Sequence, residues 1–211
     1  MKILAIDCVH EVCSAAFFDG KKVVSEIVEE MNRGQAERLM PMIQEVLIAA
    51  QADFKDIDAV AVTTGPGSFT GVRIGLAAAD GIALAADLPM IGVSVLDVLA
   101  WKIYKQSFDV EKICLVLETK RDDFYVQQFN AGKPETKPAA LSASELAELD
   151  GYVFAGNAVK RLIEEIGARP VFETPMPTAA DIALFACDKK PEKAFPVPLY
   201  LHEAEVTLCR K

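Results

Sequence analysis

Two periods alternate along this chain, and the points where one gives way to the other mark out its elements. Ile3-Leu4-Ala5-Ile6 is a continuous apolar run closed by Asp7, the pattern of a buried strand. Residues 12–18 and 23–28 read as two more strands, flanking Asp19-Gly20, a pair that favours a tight hairpin turn. Between residues 35 and 50 the spacing becomes helical, with Leu39, Ile43, Val46, Leu47 and Ala50 recurring on it. Pro41 either lies in the first turn of this helix or kinks it. A strand over 59–63 leads into a glycine-rich loop, 65–71, and a helix running to about residue 86, with Thr70 as its expected cap. Pro89 opens a short strand to Val93, and 96–104 is helical.

The second half starts with strands over 113–117 and 124–128, joined by 118–123. Ser142-x-x-Glu145 is a capping-box pattern ahead of a short helix. A strand over 152–155 turns at Gly156-Asn157 into a helix over 158–166, and a last helix is expected over 178–187 before a proline-punctuated tail. The two halves begin alike. Lys2-Ile3-Leu4-Ala5-Ile6-Asp7 and Lys112-Ile113-Cys114-Leu115-Val116-Leu117-Glu118 are each Lys-Ile, an apolar strand, an acid and then a second strand. Strands first and helices later, twice over, predict an α/β protein of two related units. We place the first at 1–107, with the partner-binding helices, and a smaller second unit with the tail at 108–211.

Composition narrows the chemistry. The 211 residues are 52% apolar and 25% charged, enough to build a core without disulfides or metal. The net charge is −9, and the basic residues stand singly or in isolated pairs such as Lys21-Lys22 and Lys189-Lys190. No basic stripe of the kind that releases several counterions is visible, which argues against strong independent nucleic-acid binding. Cys8, Cys13, Cys114, Cys187 and Cys209 are odd in number and lack a C-x-x-C pair, so they read as reduced thiols. The apolar stretch around 77–95 is broken by Asp80, Asp87 and Pro89. No signal peptide or membrane span is predicted, and a cytoplasmic location is expected.

The most informative stretch is Thr64-Gly65-Pro66-Gly67-Ser68-Phe69-Thr70-Gly71-Val72-Arg73-Ile74-Gly75-Leu76. Gly65 and Gly67 permit turns other residues resist, and the loop delivers backbone N–H groups at a helix start, a potential anion site. It has no Gly-Lys-Ser/Thr, and Gly65-x-Gly67-x-x-x-Gly71 misses the dinucleotide spacing by one residue. As a motif it resembles the signature of the TsaB (YeaZ-type) family. Other segments carry the same resemblance: Ala5-Ile6-Asp7, Arg33-Gly34-Gln35-Ala36-Glu37-Arg38-Leu39 with Pro41-Met42-Ile43, Pro89-x-Ile91-Gly92-Val93-Ser94-x-Leu96, and Pro198-Leu199-Tyr200-Leu201. The likeness is dense through about residue 100 and thin afterwards.

That resemblance implies the actin-like and sugar-kinase-like (ASKHA) fold, two βββαβα-type halves. It also implies a non-catalytic subunit that binds and activates TsaD for transfer of a threonylcarbamoyl group to an adenosine of tRNA. The ATPase TsaE is then a further partner, tRNA is met only through the complex, and the chain alone is a homodimer. Asp7, Gly65, Gly67 and Ser68 correspond to a vestigial nucleotide site. Family chains more often carry hydroxyl residues where this one has Cys8-Val9-His10, so no nucleotide is expected on the isolated chain, and ATP or ADP only in the assembled complex. TsaD itself carries a His-x-Glu-x-His metal motif after the corresponding Gly-Val. Here Val95 and Leu99 stand at those positions, and the chain has only His10 and His202, so no metal site is expected. Gly67-Ser68-Phe69-Thr70-Gly71 is not a nucleophile elbow either, and no catalytic residue is assigned.

A helix lying on a sheet normally shows one apolar stripe and one polar face. From Val72 to Ala86 only Arg73 and Asp80 are charged. Such a helix is either internal or covered on its far side by a second chain, and the family picture favours the second. The partner-binding residues assigned on this basis are Gln35, Arg38, Leu39, Met42, Ile43 and Val46 on one helix, and Arg73, Gly75, Leu76, Ala79 and Ala83 on the other. Glutamate substitution at Leu39 or Ala79 is expected to abolish association and leave the monomer folded. The rival readings are a small-molecule kinase of the same fold, which needs ATP bound at Asp7 and the 65–71 loop, and a glycoprotease-like peptidase, for which no zinc motif is present.

Overall fold

The computed structural model describes residues 1–31, 33–106 and 109–202. Five strands, β1 (Ile3–Asp7), β2 (Val12–Phe18), β3 (Val23–Glu30), β4 (Ala59–Thr63) and β5 (Met90–Val93), form a sheet in the order β3-β2-β1-β4-β5. β1 is antiparallel to β2 and parallel to β4. Both β1 and β4 are buried along their whole length, which explains their unbroken apolar sequences. The edge strand β3 instead alternates half-buried and exposed positions. The hairpin turn is wider than the Asp19-Gly20 pair alone implies. Asp19 accepts hydrogen bonds at 2.8 Å from the amides of both Lys21 and Lys22, closing a four-residue loop between the paired Phe18 and Val23.

Two helices, α1 (Gln35–Ala49) and α2 (Phe69–Ala86), cover one face of this sheet. Leu4, Ile6, Ala15, Phe17, Val60 and Val62 point toward them. Pro41 falls in the second turn of α1, with its ring on the exposed side, and it can donate no hydrogen bond back to the Glu37 carbonyl. The cap of α2 is Ser68 rather than Thr70: its hydroxyl accepts from the Gly71 amide at 3.2 Å.

The second sheet is built from β6 (Lys112–Glu118), β7 (Asp123–Asn130), β8 (Lys133–Pro134), β9 (Ala139–Ser142), β10 (Val153–Ala155) and β11 (Val171–Phe172), in the order β11-β10-β6-β7-β8 with β9 also on β7. β6 is antiparallel to β7 and parallel to β10, so it holds the place in its sheet that β1 holds in the first. The matching Lys-Ile starts of the two halves therefore mark equivalent strands. Helices α4 (Ala143–Ala147) and α5 (Val159–Ile166) cover one face of this sheet, over Cys114, Val116, Phe124 and Phe154. The expected Ser142–Glu145 capping box is formed. The other face, through Ile113, Leu115 and Leu117, shares a core with Leu99 and Ile103 of α3 (Val95–Gln106) and with the first sheet.

The last described helix, α6 (Ala179–Ala186), leaves the second sheet and packs on the free face of the first. It buries Ile182, Ala183 and Ala186 against Ile3, Ala5, Ala16, Ala59 and Ala61. Its start is pinned to the hairpin: the Ala179 amide donates to Ser14 at 2.9 Å and the Ala180 amide to Glu26 at 2.8 Å. Lys102 of α3 pairs with Asp181 at 2.7 Å. The small residues Ala5, Ala16, Ala59 and Ala61 give the helix its close seat.

Candidate functional site

Ligands of open α/β sheets gather beyond the carboxyl ends of the strands. Here that region holds Asp7 at the end of β1 and the 64–71 loop after β4. Asp7 is 3% exposed and turned inward, accepting from the Thr63 hydroxyl at 2.5 Å and from the Val9 amide at 3.2 Å. Burial pushes its pKa up to about 6, against those hydrogen bonds, which pull it down.

The loop glycines do not open a cradle; they let two loops touch. A Cβ on Gly67 would lie 2.5 Å from Val9 Cγ1 and 2.8 Å from the Val9 carbonyl oxygen, and one on Gly71 would collide with the Cys8 carbonyl. The Ser68 amide donates to the Val9 oxygen at 2.8 Å, and the Gly71 amide to the Ser68 hydroxyl. The tail then runs over the ends of β4 and β5. Leu199 donates to the Thr64 carbonyl at 2.8 Å, and a Cβ on Gly92 would meet Pro196 at 2.5 Å. A phosphate needs free N–H donors at a helix start. Here the Ser68 and Gly71 donors are engaged and a carbonyl oxygen stands among them, so these residues do not fit one. Asp7, Gly65, Gly67 and Ser68 are brought together as the sequence suggested, but as a structural junction.

Val95 and Leu99 are buried core residues. His10 packs by Gly67, while His202 bonds to Asp123 and Tyr125 in the second half. Among the described residues, no three His, Cys, Asp or Glu side chains gather as metal ligands.

The more open feature is a groove of about 570 Å³ between α1 and α2. Ala36 and Met40 line it from α1, and Phe69, Arg73, Ile74, Ala77 and Ala78 from α2. Met40 is 38% exposed and Phe69 48%. The Arg73 guanidinium lies 3.7 Å over the Phe69 ring and donates to the Tyr200 hydroxyl at 3.3 Å, so the tail closes one end of the groove. Farther along α2, Leu84 is 82% exposed. By length and composition α2 is the one described helix that could cross a membrane, yet its Val72, Leu76 and Ala79 face is packed on β4. It is a core helix whose far side was left apolar.

This geometry corrects the sequence-based choice of partner residues. Leu39, Met42, Ile43 and Val46 on α1, and Gly75, Leu76, Ala79 and Ala83 on α2, are buried inside the chain itself. They are the stripe that meets the sheet, and of them only Leu39, itself 0% exposed, forms part of the groove lining. Leu39→Glu and Ala79→Glu would therefore strike the monomer's own core. Of the assigned residues, Gln35, Arg38 and Arg73 keep exposed surface, and Arg38 is held between Glu29 and Glu45. Met40, Phe69, Ile74 and Ala77, which line the groove, are not among the assigned residues. A signal was present for Met40, which sits one turn from the polar Glu37 and Gln44.

The family of tRNA N6-adenosine threonylcarbamoyltransferases, TsaD, matches residues 22–191. The Escherichia coli tRNA threonylcarbamoyladenosine biosynthesis protein TsaB is 37% identical over 129 residues, 61% of this chain and 55% of that protein. A solved structure of YeaZ from Pseudomonas aeruginosa superposes with a TM-score of 0.80 at 28% identity, covering 95% of this chain and 99% of that one. The chain belongs to the TsaD family, in its TsaB (YeaZ-type) branch. Its architecture is the actin-like and sugar-kinase fold. Component A of the Acidaminococcus fermentans (R)-2-hydroxyglutaryl-CoA dehydratase has the same fold, with a TM-score of 0.53 at 15% identity over 90% of this chain. The chain spans about half the length of the curated TsaB relatives it matches.

Proposed function

We propose that this chain is a non-catalytic binding subunit that seats TsaD for threonylcarbamoyl transfer to an adenosine of tRNA. The observation that carries this reading is the open apolar side of α1 and α2, with Met40, Phe69, Ile74 and Ala77 at its centre. Residues of this kind in a shallow groove are the ordinary core of a protein–protein contact. In this reading Arg73 and Gln35 stand at the rim, the chain alone pairs with a second copy through the same groove, and TsaD displaces that copy. TsaE joins the assembly, tRNA is met only within it, and the work takes place in the cytoplasm.

The filled junction at Asp7 supports a subunit that holds no nucleotide by itself, and ATP or ADP enters with the partners. A kinase of the same fold would need a phosphate where Val9 and Ser68 already bond to each other. The test is titration of the isolated chain and of its mixture with TsaD and TsaE with a fluorescent ADP analogue, alongside light scattering. Binding by the mixture only, with a chain–TsaD complex in the scattering, is the expected result. Tight binding by the isolated chain, lost in Asp7→Ala, would overturn the reading.

A further inference from the structure

Asp7 and Ser14 are the last paired residues of the β1–β2 hairpin, and the next pair in that register is Cys8 and Cys13. Their Sγ atoms are 3.3 Å apart, both fully buried and not bonded. Directly opposed residues on antiparallel strands have Cα atoms about 4.5–5.5 Å apart, within the range that a disulfide spans. We propose that Cys8 and Cys13 are a redox pair, which peroxide converts to a disulfide across the end of the hairpin.

The chemistry balances with one oxidant. A thiolate attacks hydrogen peroxide, breaks the O–O bond, becomes a sulfenic acid and releases hydroxide. The neighbouring thiol then attacks that sulfur and expels water, so two thiols and one peroxide give one disulfide and two waters. Either sulfur can be the first attacker, because the two thiols lie 3.3 Å apart and each can donate to the other. Residues 10–12 reach the surface beside the pair, with Glu11 exposed and His10 and Val12 half-buried, so local opening of this turn admits a small oxidant.

The pair lies under the starts of both groove helices. The Cys8 carbonyl presses on Gly71 in the first turn of α2. Cys13 is the register partner of Glu29, which holds Arg38 of α1. Drawing the sulfurs together pulls on both contacts, so oxidation shifts the end of the groove where Phe69 and Arg73 sit.

The test is treatment of the folded full-length protein with hydrogen peroxide, followed by denaturation, maleimide labelling and peptide mapping. The expected result is a loss of two labels out of five, both from the peptide carrying Cys8 and Cys13, reversed by dithiothreitol. Because mapping uses the unmutated protein, it does not depend on a variant folding. A Cys187→Ser background removes the one half-exposed thiol among the described residues. If all labels persist there, or if those lost come from Cys114 or Cys209, the pair is inert and the proposal is wrong. Thiol mapping does not require that the groove bind TsaD, so this result and the docking result can fail separately.

Discussion

Met40→Glu and Leu39→Glu, one residue apart on α1, should have opposite consequences. Leu39 is 0% exposed, between the sheet and α2. A carboxylate there has no partner and no water, and breaking the core in this way costs several kcal/mol, about 3–5. The stability of a domain is about 5–15 kcal/mol in total, so Leu39→Glu removes a large part of it. Met40 is 38% exposed in the groove, where substitution of a surface residue changes stability by about 0.5 kcal/mol or less. In a docked complex the same carboxylate would be desolvated. A cost of about 3 kcal/mol there weakens association roughly 100-fold. Thermal melts followed by circular dichroism report the fold, and light scattering with and without TsaD reports association. Leu39→Glu is expected to melt many degrees lower, while Met40→Glu melts like the parent protein but stays monomeric and fails to bind TsaD. Normal association by Met40→Glu would show that the groove is not the docking surface. Unfolding by Met40→Glu would show that α1 is turned differently on the sheet.

Two further predictions concern the junction at Asp7. Gly71→Ala forces a methyl against the Cys8 backbone carbonyl, which cannot rotate away, and should cost about 1–3 kcal/mol in urea denaturation. An unchanged midpoint would mean that the two loops part easily. Asp7 is protonated more readily in the folded chain, at about 6 against 3.8, so its contribution to stability is lost as pH rises through that window. Asp7→Asn should therefore gain on the parent protein between about pH 4 and 6, by up to about 3 kcal/mol, with no difference below pH 4. Denaturant midpoints measured across this range check it, and a parallel pair of curves would place Asp7 in water.

The sequence made the elements legible wherever one local rule governed them. Ile3–Asp7 and Ala59–Thr63 announce themselves as doubly buried strands, and the Ser142–Glu145 box starts its helix as written. What it left open was phase. A helix apolar on nearly every side, such as α2, shows that two faces are covered without showing which of them meets the sheet, so Ala79 reads outward as easily as inward; on α1 the polar Glu37 and Gln44 beside Met40 mark an outer face that Leu39 does not share. The strands Lys133–Pro134 and Val171–Phe172 have two residues each, too few to show a period. Likewise, nothing local to residues 179–186 indicates that they belong with the first sheet. That pairing depends on small residues at Ala5, Ala16, Ala59 and Ala61, distant in sequence. The junction at Gly67 and Gly71 was visible as a glycine pattern, but only the position of the Cys8–Val9 backbone shows what those glycines accommodate.

The return of α6 to the first sheet bears on the order of events during synthesis. As the chain emerges from the ribosome, β1 to β5 and the two groove helices precede the second sheet and α6, so one side of their sheet is still without its α6 cover. The residues that cover it, from Ala179 onward, follow only after the whole second sheet has been translated. Until then Ile3, Ala5 and Phe18 lack their α6 neighbours, and the Ala179 amide that donates to Ser14 is not yet in place. The core of the first sheet is therefore completed by a segment that lies beyond the second sheet in sequence, rather than by the first sheet's own helices alone.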